Sequence, residues 1–381
     1  MQGIDPSGAP GGHGADATDA AFMALALAQA ARGIYTTSPN PSIGCVIVRD
    51  GRVIGEGFTQ PPGGPHAEIF AMRDAAARGE SVQGATVYVT LEPCSHFGRT
   101  PPCADALVAA GVARVVSAMV DPNPQVDGTG NDRLRAAGIT VTSGVLAAEA
   151  EALNRGFISR HRLGRPWVRV KLAMSLDGRT AMASGESKWI TGPQARADVQ
   201  HWRARSCAIV TGAGTVLADD PELNVRELAG LAPPYRQPLR VVLDRRGQVP
   251  LSARVFRDGR SLWVAGAPRH SALPAGVEWI DSHQRITTLP ALFAELARRE
   301  CNEVLVEAGA ELAGSVIAAG LCDELVTYVA PKLLGDRARP LVGLDIEHMR
   351  DAIGLALVSV DRFGDDVRLV YRRPDGAASN P

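Results

Sequence analysis

Short apolar runs alternate with helix-like segments along the chain, and this alternation is the feature that most restricts how it can fold. The strand-like runs of the first half are IGCVIV, RVIGEGF, ATVYVTL and ARVVSAMV. Those of the second half are PWVRVKLAMS, CAIVTG, LRVVLD, EVLVEAG and DELVTYVA. Strands that alternate with helices predict an α/β fold whose sheets are covered by helices on both faces. Because the two halves share no repeat, we expect two different domains.

Local signals mark the helices and turns between these strands. An Ala-rich segment from Asp16 predicts a helix that Gly33 ends in the left-handed cap conformation. The dipeptide Asp50-Gly51 lies between two strand-like runs and predicts a hairpin turn. Further helices are expected at about residues 66–78, 103–110, 193–205 and 288–300.

The stretch LGRP, residues 163–166, is the best candidate for a linker between the two domains. We therefore predict a first domain over residues 16–162 and a second over residues 163–375. The preceding residues 1–15 are rich in Gly and Pro and contain almost nothing to bury, so we expect them to be disordered.

Composition and charge argue against several classes of protein. The 381 residues are 45% hydrophobic and 21% charged, which is typical of globular domains. Forty Lys and Arg against 41 Asp and Glu leave no net field that would attract nucleic acid or an anionic membrane. An aromatic content of 5% provides no stacking platform for bases. Neither a long apolar span nor a secretory signal is visible, so the expected location is the cytoplasm.

The six cysteines fall into two groups, and they are too few for a disulfide scaffold. Two of them, Cys94 and Cys103, lie close together in the segment LEPCSHFGRTPPC. The other four lie in or beside apolar segments, where free cysteine commonly acts as a small core residue. They are Cys45, Cys207, Cys301 and Cys322.

The segment LEPCSHFGRTPPC can provide part of a catalytic zinc site. A catalytic zinc ion takes three protein ligands and keeps one position for water, and thiolate and imidazole groups suit it. Cys94 and Cys103 supply two ligands, and His66, at the start of a predicted helix in GGPHAEIFAM, supplies the third. Glu68 follows two residues later and is predicted to carry protons without binding the metal. A His-x-Glu element followed by a Pro-Cys element is the arrangement of zinc deaminases.

Each of these elements is weak evidence by itself, because a His-x-Glu tripeptide and a pair of nearby cysteines both occur without function. The two elements occur together in this order, each at the start of a predicted helix, and this combination favours a catalytic zinc site. A structural zinc site is the alternative, and its fourth ligand would be His96. That arrangement requires the loop to double back, since His96 lies only two residues after Cys94.

Motifs from both halves resemble one known family. They are NPSIGCVIV, PHAEIFAM, LEPCSHFGRTPPC, VKLAMSLDGRTAMASGESKWITG, TVLADDPELNVR, VEAGAELAGS and APKLLG. In this order they resemble the bifunctional pyrimidine deaminase/reductases of riboflavin biosynthesis, over about residues 16–373. The long spacing between the two cysteines, unusual for a nucleoside deaminase, is also that family's. The resemblance implies a cytidine-deaminase-like three-layer domain followed by a dihydrofolate-reductase-like α/β domain.

The resemblance also implies two reactions on a small pyrimidine ribose phosphate. The first half would hydrolytically deaminate 2,5-diamino-6-(5-phosphoribosylamino)pyrimidin-4-one, and the second would reduce the ribosyl group of the product to ribityl with NADPH. The three candidate ligands would bind one zinc ion per chain, and Glu68 would be the proton donor. Asn40 and Arg99 would contact the deaminase substrate, as suits an amide that can pair with a pyrimidine edge and a cation that can meet a phosphate.

The second half carries two glycine-containing turns that could hold a phosphate. TGAGTVLADD follows a strand-like run but lacks the third glycine of the dinucleotide fingerprint, and EAGAELAGS places Gly309 before the next helix. The residues alone leave a phosphate or nucleotide site and a plain strand-to-helix turn equally open. The resemblance implies an NADPH site, and the implied cofactor contacts are Ala173, Trp189, Thr215, Asp219, Gly309, Ala310, Glu311, Leu312, Ala313, Gly314 and Ser315, with Arg245 as a further candidate.

The resemblance places the substrate contacts of the reductase at Ser187, Arg203, Leu223, Arg226 and Glu307. Arg203 and Arg226 are suited to clamp a substrate phosphate, because guanidinium groups form paired hydrogen bonds with phosphate oxygens. Lys171, on the first strand of the second half, is a candidate polar contact near the reacting sugar.

Two other functions stay open from the sequence. The alternative enzyme is a deaminase for another base or nucleotide, with a second half that only binds. The alternative from another class is a nucleic-acid-editing or zinc-binding module, against which the balanced charge argues. We expect small-molecule partners, no nucleic acid and no membrane, and homo-oligomer formation is left open.

Overall fold

The computed structural model describes residues 17–96, 101–233, 235–257, 259–266 and 272–374. The chain divides into two compact units. The first contains the described residues up to Thr37 together with Pro41–Asn154, and the second contains Ser38–Asn40 and the chain from Arg155 onward. The disorder expected for residues 1–15 concerns a segment that lies outside the described residues.

The second unit begins with a helix that the sequence assigns to the first domain. This helix, Arg155–Leu163, packs against the strand Trp167–Ser175 of the second unit. The boundary between the two compact units therefore lies after Asn154, whereas the domain boundary predicted from the sequence lies between residues 162 and 163.

Within the described residues, the first unit contains a five-stranded mixed sheet. Its strands are β1 (Gly44–Arg49), β2 (Arg52–Phe58), β3 (Thr86–Val89), β4 (Arg114–Ser117) and β5 (Thr140–Ser143). Their order in the sheet is β2-β1-β3-β4-β5, with β1 antiparallel to both neighbours and β3, β4 and β5 mutually parallel. The helices are α1 (Ala17–Ala31), α2 (Ala67–Ala77), α3 (Cys103–Ala109), α4 (Thr129–Ala136) and α5 (Ala147–Leu153).

Glycines on β1 and β2 show why helices cover both faces of this sheet. A Cβ atom on Gly44 would lie 1.8 Å from the backbone oxygen of Ala26 in α1, and one on Gly55 would lie 2.4 Å from that of Ala71 in α2. Gly55 pairs with Ile47, which points to the face opposite Gly44 because the two residues are an odd number of positions apart on β1. Helices α1 and α2 therefore lie on opposite faces, and the unit has three layers.

The predicted hairpin turn is confirmed, and the predicted conformation of Gly33 is wrong. Asp50 and Gly51 have φ angles of 52° and 71°, the left-handed pair that a two-residue hairpin turn requires. Gly33 has no such positive φ. A Cβ atom on it would instead lie 2.8 Å from Thr37 Cγ2 and 2.9 Å from Ser42 Oγ. Glycine is needed here because the chain after α1 packs tightly against it.

The described part of the second unit is built on a nine-stranded sheet with a small two-stranded sheet beside it. The strands are β6 (Trp167–Ser175), β7 (Arg179–Ala181), β8 (Ala208–Gly212), β9 (Leu239–Asp244), β10 (Ser261–Ala265), β11 (Val277–Asp281), β12 (Glu303–Val306), β13 (Glu324–Ala330), β14 (Arg339–Pro340), β15 (Ala356–Phe363) and β16 (Asp366–Arg372). The helices are α6 (Arg155–Leu163), α7 (Pro193–Arg205), α8 (Ala213–Asp219), α9 (Leu289–Arg298) and α10 (Ala310–Ala318).

The topology of the large sheet places several strand ends at one edge. Its order is β11-β10-β9-β8-β12-β6-β13-β16-β15, and β7 pairs with β14 in the small sheet. The strands from β11 to β13 are parallel, whereas β16 and β15 are antiparallel. The carboxyl ends of the parallel strands therefore share an edge, which is where ligands bind in such sheets. The central strand β12 is buried throughout, as expected for a strand covered on both faces.

The four cysteines predicted as core residues are confirmed to be buried; they are Cys45, Cys207, Cys301 and Cys322. Among the helices described above, none combines the length and the apolar character that a membrane-crossing segment requires.

Candidate active sites

Three segments of the first unit bring the predicted metal ligands together. His66 directly precedes α2, Cys94 lies in the loop after β3, and Cys103 is the first residue of α3. The backbone amide of Ala104 donates to the carbonyl of Cys94 at 3.1 Å, and the amide of Cys103 donates to the Cys94 sulfur at 3.3 Å. These bonds fold the loop back onto the start of α3, so cysteines distant in sequence become neighbours in space.

The distances among the three ligand atoms fit a zinc ion. The atoms all lie within 4.8 Å of one another. The Nδ1 atom of His66 is 3.6 Å from Cys94 Sγ and 3.3 Å from Cys103 Sγ. Zinc bonds of about 2.3 Å to sulfur and about 2.1 Å to nitrogen, at a tetrahedral angle, place such atoms about 3.6 Å apart. Among the described residues His96 does not join this cluster, so the four-ligand structural site is not supported.

The two thiols differ in how readily they ionise. A hydrogen bond from Cys103, assisted by one from His66, lowers the pKa of Cys94. The same bond between the cysteines, together with burial, raises the pKa of Cys103. The hydrogen bond to Cys94 also raises the pKa of His66. Cys94 is therefore the more readily ionised of the two thiols, and the thiolate is the form that binds metals.

Glu68 is buried beside the ligands without belonging to the cluster. It lies in the first turn of α2 and is 4% exposed. Burial, and secondarily the charge of Cys94, raise its pKa to about 7. A carboxyl group that titrates near neutral pH can both accept and donate a proton.

Sequence reasoning missed two buried acidic residues in this unit. Glu92 follows β3 two positions before Cys94, and Asp121 follows β4. Burial raises the pKa of Asp121 to about 6. Both lie just beyond the carboxyl ends of neighbouring parallel strands, and that position is the signal by which they could have been found.

The two predicted contacts of the deaminase substrate stay predictions. Asn40 belongs to the short segment Ser38–Asn40 that groups with the second unit. Arg99 lies outside the described residues.

In the second unit a buried ion pair joins predicted substrate contacts. Arg203 of α7 donates to both carboxylate oxygens of Glu307, which follows β12, at 2.6 and 3.0 Å. Its remaining Nη1 donates to the carbonyl of Asn224 at 3.1 Å. Burial opposes the ionisation of Glu307, but the charge and hydrogen bonds of Arg203 outweigh it and lower the pKa. Because Arg203 is already paired, a substrate phosphate would have to share it with Glu307.

Lys171 on β6 lies close to this ion pair. Its ammonium group is 5.9 Å from the centre of the Tyr328 ring. Burial lowers the pKa of Lys171, the nearby charge of Glu307 raises it, and that of Arg203 lowers it. The structure thus brings together three of the predicted substrate contacts of the reductase.

Two helices begin side by side at the carboxyl ends of the paired strands β8 and β12. Gly212 precedes α8 and Gly309 precedes α10, so the residue at each cap position has no side chain with which to cap its helix. A Cβ atom on Gly212 would lie 3.7 Å from Leu312 Cδ2 in α10, whereas one on Gly309 or Gly214 would have no described atom within 4 Å. Free amides at a helix start bind anions, so these residues fit the phosphates of a dinucleotide.

Other predicted contacts lie on α8 and in the segment before α7. Thr215 and Asp219 are in α8, and the Ser187 hydroxyl is 3.5 Å from the Asp219 carboxylate. Trp189 is 62% exposed, and the guanidinium of Arg196 lies 4.5 Å from the centre of its ring. A large aromatic side chain that remains this exposed is available to a ligand.

The motif APKLLG contains a lysine that sequence reasoning missed. Lys332 in this motif donates from Nζ to the carbonyl of Trp189 at 2.6 Å. The carboxylate of Asp177 accepts from the amides of Leu334 and Gly335, at 3.1 and 2.7 Å, and so holds the loop after β13. The signal that could have identified Lys332 is its position just after a buried parallel strand.

The remaining predicted residues differ in what they can offer a ligand. Leu223 and Ala313 have buried side chains, and a Cβ atom on Gly314 would lie 2.0 Å from the backbone oxygen of Gly343. These three can meet a ligand only through their backbone. Exposed side chains are found at Arg226 and Arg245, a half-buried one at Ala173, and Ala310, Glu311, Leu312 and Ser315 lie in the first turns of α10.

Comparison with known proteins finds a match for each unit. Residues 16–119 match the family described as the cytidine and deoxycytidylate deaminase zinc-binding region. Residues 166–369, more than half of the chain, match the RibD C-terminal domain. The chain belongs to the RibD family.

Individual RibD proteins match over nearly the whole chain. The riboflavin biosynthesis protein RibD of Escherichia coli strain K12 is 50% identical over 368 residues, which are 92% of this chain and 98% of that protein. A solved structure of Acinetobacter baumannii RibD, form 1, is 47% identical with a TM-score of 0.88, covering 94% of this chain and 99% of that one. A deaminase/reductase structure from Thermotoga maritima is 34% identical with a TM-score of 0.85 and the same coverage.

These matches confirm the fold and the class of function expected from the sequence. The chain has a deaminase-like first domain and a RibD reductase second domain. As a RibD protein it is a bifunctional deaminase and reductase of riboflavin biosynthesis. These matches therefore argue against the alternative of a deaminase whose second half only binds a ligand.

Proposed function

We propose that the first unit hydrolytically deaminates 2,5-diamino-6-(5-phosphoribosylamino)pyrimidin-4-one and that the second reduces the ribosyl group of the product to ribityl with NADPH. The observation that carries the first step is the cluster of His66, Cys94 and Cys103 beside the buried carboxyl of Glu68. The Thermotoga maritima relative is named as a diaminohydroxyphosphoribosylaminopyrimidine deaminase and 5-amino-6-(5-phosphoribosylamino)uracil reductase, which supports both substrates.

In the deaminase step, His66, Cys94 and Cys103 would hold one zinc ion per chain, which would supply Lewis-acid activation of a water molecule. The activated water attacks the ring carbon that bears the amino group. Glu68 takes a proton from this water and returns one to the amino nitrogen as the carbon–nitrogen bond breaks. Ammonia leaves, the second proton of the water passes to the adjacent ring nitrogen, and the ring carbon becomes a carbonyl. The pKa of about 7 caused by burial suits Glu68 to both transfers.

In the reductase step, the starts of α8 and α10 would hold the phosphates of NADPH, and the bound cofactor would supply a hydride. Reduction of the ribosyl group breaks the bond between the anomeric carbon and the ribose ring oxygen, so the carbon would receive the hydride and the oxygen a proton from solvent. The Arg203–Glu307 pair, in which Glu307 directly follows β12, and Lys171, in the middle of the neighbouring strand β6, orient the substrate. The support is that no described atom would lie within 4 Å of a Cβ on Gly309, and that each helix has a glycine at its cap position.

Both ligand classes in this proposal are small phosphorylated molecules, and we place both reactions in the cytoplasm because the relatives are riboflavin biosynthesis proteins.

The substitution Glu68→Gln tests the division of labour between the two units. Glutamine keeps the volume of the side chain but cannot carry a proton, so deamination should fall by about 100- to 10,000-fold, the usual contribution of a proton-transfer group. Deamination is measured by ammonia release from the diamino substrate. Zinc should remain bound, because Glu68 is not one of the clustered ligands.

The second unit of the same variant is the internal control. Given the deaminated substrate, the Glu68→Gln chain should oxidise NADPH at the parent rate. Given the diamino substrate, it should oxidise almost none. Normal deamination by this variant would remove Glu68 from the mechanism, and loss of reduction with zinc and fold intact would show that the two reactions are not independent.

A further inference from the structure

Four backbone amides donate hydrogen bonds to the buried carboxylate of Glu92. Its Oε1 accepts from Gly130 and Asn131 at 2.8 and 3.0 Å. Its Oε2 accepts from Gly128 at 2.9 Å and from Asp121 at 3.2 Å. The residue is 3% exposed. Hydrogen bonds to an ionised acceptor are stronger than those between neutral groups, so Glu92 fixes the segment that carries these amides.

This segment includes the start of α4. The amides of Gly130 and Asn131 belong to the first turn of this helix, where no intrahelical acceptor is within reach. The residue preceding the helix is Gly128, which has no side chain to cap it. The negative charge of Glu92 therefore caps α4 from a different part of the chain, at the helix end that favours an anion.

The start of α4 also lies directly against the loop that holds Cys94. A Cβ atom on Gly130 would lie 1.9 Å from the carbonyl oxygen of Pro93, the residue before Cys94. The hydroxyl of Ser95, the residue after it, is 2.6 Å from the hydroxyl of Thr129. The loop is thus in contact with α4 on both sides of this cysteine.

We propose that Glu92 is a positioning residue of the zinc site. By holding the start of α4 against the loop, it fixes the backbone on either side of Cys94 and so determines how long zinc stays bound. The inference rests on the zinc ligands proposed above, and Glu92 acts through the loop rather than by touching the metal. Loss of a group that orients metal ligands typically lowers metal affinity about 10- to 100-fold.

The test is the rate at which the zinc-loaded, full-length chain releases its metal to an excess of a coloured chelator. In Glu92→Gln, one carboxylate oxygen becomes an NH₂ group that faces two amide donors instead of accepting from them. Zinc release should be about 10- to 100-fold faster than from the parent chain. Cobalt loaded in place of zinc gives a second readout, because its visible absorption reports the geometry of the ligands and should change in this variant.

Asp19→Asn is the matched control for a loss of stability alone. Asp19 is a buried carboxylate of the same unit that accepts from Tyr88 at 2.9 Å and from Arg114 at 2.8 Å. It lies on α1, which covers the sheet face opposite α2. This variant should unfold more easily than the parent chain while releasing zinc at close to the parent rate.

Glu92→Asp keeps the charge but shortens the side chain, so it should release zinc at a rate between those of the parent and Glu92→Gln. It also serves as the test if the glutamine variant does not fold. If both Glu92 variants release zinc at the parent rate, the proposed role of Glu92 is wrong. It is also wrong if Asp19→Asn, at a similar loss of stability, releases zinc as fast as Glu92→Gln. If Cys94→Ser itself leaves zinc binding unchanged, the ligand set fails, which is a different result.

Discussion

The two units of this RibD protein build their candidate sites from different parts of the chain. In the first, the important atoms belong to side chains: one imidazole and two thiols lie within 4.8 Å of one another, beside the buried carboxyl of Glu68. In the second, much of the proposed cofactor site is backbone, because the starts of α8 and α10 have glycine in place of a capping side chain. Substitutions should therefore have different consequences in the two units.

Glycine has opposite roles in the two units, which makes this difference testable. At Gly44 in β1 there is no room for a methyl group, because helix α1 lies directly above it. At Gly309 before α10 a Cβ atom would have no neighbour within 4 Å in the part of the chain that the structure describes. The first glycine serves packing within the protein, whereas the second leaves a surface on which a ligand can lie.

The largest effect on stability is expected at the ion pair of the second unit, where the proposed site depends on side chains and not on backbone. Arg203→Ala leaves Glu307 buried without its partner, and breaking such a pair costs about 3–5 kcal/mol. Since Arg203 is also a proposed substrate contact, kcat/KM for reduction should fall by at least about 100-fold, with deamination unchanged. Both reactions are measured on the same preparation.

Arg205→Ala is the matched control for this variant. Arg205 is on the same helix and makes an equivalent two-point pair with Glu303, at 2.7 and 2.8 Å, but is not a proposed substrate contact. Because Glu303 also lies 3.2 Å from the guanidinium of Arg169, Arg205→Ala should destabilise the unit less than Arg203→Ala and should preserve most of the reductase activity below the melting temperature. An equal loss of activity in both variants would show that Arg203 has only a structural role.

A smaller effect is expected from Gly44→Ala in the first unit. The new methyl group would overlap the backbone of α1, and overpacking of this kind costs about 1–3 kcal/mol. Hydrogen exchange of the α1 and β1 amides should rise accordingly, while exchange in the second unit stays constant. Unchanged protection of α1 would show that the contact between this helix and the sheet is looser than described.

The smallest effect on stability is expected from Gly309→Ala. Its φ of −72° suits any residue and no described atom is near, so the melting temperature should stay close to that of the parent. If NADPH phosphates lie there, the methyl group should raise KM for NADPH by about tenfold, equivalent to about 1.4 kcal/mol. An unchanged KM would place the cofactor elsewhere.

The sequence predicts the zinc-binding unit better than the reductase unit, for a physical reason. Metal ligation demands particular side chains, so the residue types at His66, Cys94 and Cys103 are themselves the signal. A backbone site leaves only glycines, which also occur at ordinary turns. Hence Gly309 cannot be separated from a plain strand-to-helix turn without the family resemblance.

Other features of the structure could not be predicted from the sequence, because they depend on contacts between distant parts of the chain or on weak local patterns. The short helix α4 and the half-exposed strand β5 carry weak apolar patterns, so the sequence does not predict them. The role of Glu92 depends on amides 29 to 39 residues further along the chain. The pairing of Arg203 with Glu307 spans 104 residues. Local pattern cannot reveal such partners, because only the fold brings them together.

The metal content of four purified chains tests the central claim most directly. Parent and Glu68→Gln chains should each carry about one zinc ion, because only one ligand set is seen among the described residues and Glu68 is not part of it. Cys94→Ser and Cys103→Ser should lose most of their zinc and, with it, deamination, while NADPH-dependent reduction of the deaminated substrate continues. Full zinc occupancy in both cysteine variants would contradict the account.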